Sequence, residues 1–173
     1  LLTSTSTSTS ISSITIVEAR SFCSGATGRN GGHLTAASAL AYTELSANPN
    51  HLLGASISKL APDQIRTETA KAVRDILNFE LDTANAIRAI IAEESAEEEV
   101  GFTDQKNWHL CFEQAEVDAF EDSLQQAREH EALRNLVAQV RRVPKAEVDE
   151  RMNSPFGIEA VYEIPGATLH PRL

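Results

Sequence analysis

Residues 14–34, ITIVEARSFCSGATGRNGGHL, constrain the fold more than any other stretch of this chain. A β-branched run, Ile14, Ile16 and Val17, reads as a buried strand. It ends in an acidic residue, Glu18, where such a strand leaves its sheet. In a nucleotide-binding α/β unit a carboxylate at that point accepts hydrogen bonds from ribose hydroxyls. Gly25, Gly28, Gly31 and Gly32 follow, around Arg29, Asn30 and His33. Clustered glycines let the backbone approach a ligand closely or adopt positive φ, and successive N–H groups in such a loop cradle a phosphate. The stretch therefore reads as the second half of a dinucleotide site. The G-x-G-x-x-G fingerprint that should precede it occurs nowhere in the 173 residues. Residues 1–13, LLTSTSTSTSISS, read instead as a Ser/Thr-rich loop or tail.

Periodicity organises the remainder. Residues 35–47 predict a short helix, and Asn48-Pro49-Asn50 a turn. Pro62-Asp63 marks a helix start. From there Ile65, Thr69, Val73, Ile76, Leu77, Ala84, Ile87, Ile90 and Ile91 recur at helical spacing, which predicts one amphipathic helix over 63–95. The acidic run 93–100, EESAEEEV, reads as its solvated end and a loop, closed by Gly101. A strand is expected over 107–113. A second amphipathic helix is expected over 115–138, on Val117, Phe120, Leu124 and Ala127, and a short helix after Pro144. Residues 157–164 alternate as a strand, with Ile158, Ala160, Tyr162 and Ile164 on one face, and Pro165-Gly166 predicts a turn.

Composition excludes several classes. A net charge of −10 argues against nucleic acid as a partner. No run is long and apolar enough to cross a bilayer, and residues 1–13 do not have the pattern of a secretory signal. Cys23 and Cys111 do not make a disulfide framework; Cys23 reads as a small buried hydrophobe. An intracellular, cytoplasmic setting fits. The histidines lack metal-ligand spacing with a carboxylate partner: His51 reads as a loop residue, His109 and His130 as structural or exposed, and His170 as a local hydrogen-bonding residue. No G-x-S-x-G elbow occurs. Arg29 has two readings, a bidentate partner for phosphate or carboxylate or a tie to a neighbouring backbone carbonyl. His33 likewise either contacts a ligand or holds its own loop. Trp108 reads as packed in a sheet.

The segment EAR followed by CSGATGRNGGHL resembles the corresponding segment of FAD-dependent oxidoreductases of the D-amino-acid-oxidase-like family. It is most similar to the amine-oxidising branch that includes gamma-glutamylputrescine oxidoreductase. GIEAVYEIPGATLHPRL, residues 157–173, resembles the strand and turn after which that family enters its next FAD-domain element. The resemblance implies a two-domain α/β flavoprotein. Residues 14–100 would form part of a Rossmann-like FAD-binding domain with a long helix, and residues 101–173 part of an antiparallel-sheet substrate domain. It implies FAD contacts from Glu18, Ala19, Ser24, Gly25, Ala26, Thr27, Arg29, Asn30, Gly31, Gly32, His33 and Leu34, with His33 nearest the isoalloxazine ring. The substrate would be a small amine or amino acid giving a hydride to the flavin. Without the glycine fingerprint, the chain reads as a truncated piece of such an enzyme, inactive alone. Two other readings stay open: a fragment of a nicotinamide-dependent dehydrogenase, for which Glu18 alone would serve, and a non-catalytic module whose amphipathic helices bind a partner.

Overall fold

The computed structural model describes residues 13, 15, 17, 19–21, 23–152 and 157–170. Ile14, Ile16 and Glu18 lie outside these residues. Val17 lies inside them, is 88% exposed and belongs to no strand, so it forms no part of the buried strand expected there.

The frame is a mixture of helices and a small sheet. The helices are α1 (Tyr42–Ser46), α2 (Pro49–Leu53), α3 (Pro62–Glu93), α4 (Gln114–Arg128), α5 (Arg134–Val137) and α6 (Lys145–Arg151). The strands are β1 (His33–Leu34), β2 (Thr103–Cys111), β3 (Arg141–Arg142) and β4 (Ala160–Thr168). Every pairing among the described residues is antiparallel and runs through β4. β2 follows one side of β4 for its whole length, from Thr103 opposite Thr168 to Cys111 opposite Ala160. β1 and β3 share the other side, at opposite ends, through His33 opposite Thr168 and Arg141 opposite Glu163.

The expected turn at Pro165-Gly166 is instead the interior of β4, where Pro165 faces Lys106 and Gly166 faces Gln105. The hydrogen-bond parity explains this. Leu169 N–H donates to Gly32 O on the β1 side, and Val161 O accepts from Val143 N–H on the β3 side. Residue 165 has the same parity, so its nitrogen faces the gap between β1 and β3. No ladder bond is required there, and proline's missing donor costs nothing.

Helix α3 matches its pattern closely. Pro62 occupies the first turn, and Gln64 Oε1 accepts from Ala61 N–H at 2.9 Å, half of a capping box. At the other end Ser95 takes φ 53°. Ser95 N–H bonds Ala92 O at 3.2 Å and Ala96 N–H bonds Ile91 O at 2.9 Å, a Schellman closure. Asn48-Pro49 proves to be a helix start rather than a turn: Asn48 Oδ1 accepts from His51 N–H at 3.3 Å, with Pro49 first in α2. His51 therefore lies in α2 and not in a loop. The helix expected over 115–138 is interrupted after Arg128, where a 3-10 turn at Glu131–Leu133 precedes α5.

The stripe of α4 and the N-terminal two thirds of the α3 stripe are consumed in one core, while Ile90 is 59% exposed. Val73, Leu77, Val117, Leu124 and Ala127 pack with Leu40, Tyr42, Cys111, Leu133, Ala160, Tyr162 and Ile164. The opposite face of the sheet carries a smaller cluster, Val143, Val148, Ile158 and Val161, with Trp108, Leu110 and Met152 against it. Ile158 therefore parts company with Ala160, Tyr162 and Ile164. It precedes β4, where Glu159 N–H bonds Cys111 O one position out of the strand register.

Candidate functional site

The glycine-rich loop is organised from within. Ser24 N–H bonds Ser21 O at 3.0 Å, and Ala26–Arg29 forms one 3-10 turn. Asn30 Oδ1 then accepts from Gly32 N–H at 2.8 Å, an Asx turn. Gly32 is buried with φ 68°, a conformation that favours glycine. A Cβ on Gly31 would stand 3.1 Å from His33 Cδ2, so the glycine lets the imidazole lie against the loop. Cys23 is half-buried with φ 51°, rather than fully buried as its residue type suggests.

The loop exit is tied to the far end of the sequence. His33 pairs with Thr168 and Leu34 with Ala167, and Leu169 N–H donates to Gly32 O at 2.9 Å. The next residue, His170, donates its N–H to Val100 O at 2.6 Å. Asn107 Nδ2 donates to Thr35 Oγ1 across Gly166. A Cβ on Gly166 would come within 2.5 Å of Asn107 Cγ. Glycine is required there because another side chain occupies the space above it.

His33 is exposed and borders two clefts. One, of about 370 Å³, lies between β1 and α3 and is lined by His33, Leu34, Thr35, Ala36, Phe79, Glu80, Thr83 and Ala84. Glu80 Oε2 accepts from Ala37 N–H at 2.7 Å, fixing that wall. The other, of about 390 Å³, lies against the sheet and is lined by His33, Thr35, Gln105, Lys106, Asn107, Trp108, His109, Arg151 and Ile164. The Arg151 guanidinium stands 4.2 Å from the Trp108 ring centroid. Trp108 Nε1 donates to Glu163 at 3.1 Å, and Arg141 clamps Glu163 and Glu147 together. Those hydrogen bonds hold both carboxyls below the usual glutamate range. Trp108 is thus packed in the sheet, as its surroundings in the sequence suggest. His109 is a structural neighbour of Phe120, edge-to-face at 4.7 Å.

Of the residues expected at the site, Ser24, Gly25, Ala26, Thr27, Arg29, Asn30, Gly31, Gly32, His33 and Leu34 form one continuous segment, with Ala19 in the exposed bend before it. Glu18 lies outside the described residues. Arg29 is exposed and makes no ion pair among the described residues, so its guanidinium is available to an anion. Cβ-free backbone, a bidentate cation and amide groups in one loop suit a phosphate-bearing group such as a dinucleotide. Sequence reasoning missed Thr35, which directly follows Leu34, Asn107, which β2 presents across β4, and Arg151, which α6 lays over Trp108. Among the described residues no cluster of His, Cys, Asp and Glu is arranged to hold a metal, and no helix is long and apolar enough to cross a membrane.

The family model described as DAO, FAD dependent oxidoreductase, matches residues 7–173. No curated protein and no solved structure matches the chain.

Proposed function

Since the chain belongs to the family of FAD dependent oxidoreductases, we propose that its loop at 18–34 contacts FAD and that the substrate is a small amine or amino acid. The likeness of this loop to the amine-oxidising branch that includes gamma-glutamylputrescine oxidoreductase supports the substrate class. The observation that carries the proposal is the β1–β4 pairing. It brings Gly32 and His33 against Thr168 and Leu169, so the two stretches that resemble the family most closely become neighbours. In this reading Glu18 accepts hydrogen bonds from the adenosine ribose. Arg29 and the glycine backbone hold the phosphates. His33 borders the ring and tunes its electronics. FAD, when bound, supplies the hydride acceptor; the protein's part is to orient the amine carbon beside it and to exclude water.

The test uses a flavin-loaded polypeptide in which this chain is joined to a glycine fingerprint that completes the pyrophosphate site. His33→Ala is expected to change the flavin spectrum or reduction potential more than FAD affinity. Glu18→Gln is expected to do the reverse, lowering affinity about tenfold through loss of a charge-assisted contact. A His33→Ala holoenzyme with unaltered spectrum and potential leaves that histidine only a structural role, and an unchanged FAD Kd removes Glu18 from the site. Anaerobic mixing with primary amines and amino acids should bleach the flavin absorbance. Failure of every amine to do so refutes the substrate class without touching the cofactor assignment.

A further inference from the structure

We propose that a cleft of about 480 Å³ among α1, α2, α3 and the end of α4 binds a free amino acid with a small apolar side chain, its carboxylate on Arg66 and its ammonium on Glu129. The cleft shares no lining residue with the two beside His33. Its size is in the range of small-molecule sites.

Charge decides the ligand class. Arg66 Nη1 and Glu129 Oε2 stand 3.7 Å apart, with side chains 71% and 57% exposed. That separation is too long for a hydrogen bond, so both groups keep donors and acceptors free. The other two titratable groups of this wall, Tyr42 and His130, are both shifted away from their charged forms, Tyr42 upward by burial. Burial, and then the charge of Arg66, push His130 below the ordinary histidine value, and His130 Nε2 is bonded to Tyr42 Oη at 3.0 Å. The cleft thus offers one positive and one negative group side by side. A zwitterion satisfies both, whereas a singly charged ligand leaves one of them to repel or go unmatched. Ile65, Pro49 and Pro62 line the same cleft and suit a small hydrocarbon side chain.

L-Valine, isobutylamine and isovalerate share a branched hydrocarbon and carry both charges, the ammonium alone or the carboxylate alone. Each is titrated into the 173-residue protein at pH 7.5 and followed by NMR. L-Valine is expected to saturate in the millimolar range, with each single-charge analogue about tenfold weaker for its missing charge-assisted contact. Arg66→Gln should lower L-valine affinity about tenfold and tighten isobutylamine, whose ammonium then meets no opposing cation beside Glu129, while Glu129→Gln should likewise tighten isovalerate on Arg66. Both positions are exposed, so thermal melting should stay close to that of the unaltered protein. Equal affinity for the three ligands, no saturation below about 20 mM, or L-valine binding indifferent to both substitutions overturns the proposal.

Discussion

At the scale of single residues, Gly166 shows how one atom's absence positions others. Asn107 crosses above it to donate to Thr35, joining β2 to the segment that follows β1. Gly166→Ala would place a methyl in the space of the Asn107 amide, and overpacking of this kind costs about 1–3 kcal/mol. Because the loss comes through Asn107, the double variant Gly166→Ala, Asn107→Ala should be little less stable than Asn107→Ala alone. Urea unfolding of the four proteins measures this coupling; additive losses would show that the glycine serves the backbone instead. Arg141 is a second residue whose effect reaches beyond itself. Its hydrogen bonds lower the folded-state pKa of Glu163 and Glu147 from the ordinary 4.5. A depressed carboxylate pKa stabilises the fold above the unfolded value, and that stability is lost as pH falls through the folded one. Arg141→Gln should therefore melt lower than the unaltered protein at pH 7, and the gap should narrow as pH falls below 4.5. A gap that is constant with pH would assign Arg141 a packing role alone.

At the scale of elements, α3 separates its faces sharply. Leu77 is fully buried, while Phe79, two positions on, is 73% exposed. Leu77→Ala should cost about 2–5 kcal/mol, as truncation inside a packed core does. Phe79→Ala should change stability by no more than about 0.5 kcal/mol, although Phe79 lines a cleft beside His33. Denaturant midpoints of the two variants check the assignment, and comparable losses would mean that the exposed face of α3 is covered. The break between α4 and α5 belongs to this scale as well. Neither glycine nor proline marks it. At the break His130 meets Tyr42, whose ring centroid lies 5.7 Å away, and a tertiary contact of this sort has no local signature.

At the scale of the whole molecule, the sheet collects its strands from residues 33 to 168, so the glycine loop is anchored by pairings distant in sequence. In the function proposed above, the loop supplies only one part of a dinucleotide site. The pyrophosphate contacts of such sites come from the glycine fingerprint and the helix N-terminus behind it, and none of the 173 residues spells that fingerprint. Titrating this polypeptide with FAD is therefore expected to give weak binding by flavin fluorescence. Tight stoichiometric binding would show that the loop at 18–34 suffices.

The sequence by itself determined what depends on near neighbours. Apolar spacing set α3 and the core stripe of α4, because helical periodicity is a local property. The order of small residues, Arg29, Asn30 and His33 marked the loop, because tight turns and positive φ need glycine and its small neighbours in succession. Only the tertiary structure decided the rest. Pro165-Gly166 became strand because β1 and β3 leave a gap beside it; Asn48-Pro49, by contrast, is a local N-cap and first-turn proline that was read as a turn. His33 met Thr168 across 135 positions of sequence because an antiparallel sheet chooses partners by register and burial. No window of neighbouring residues encodes that choice.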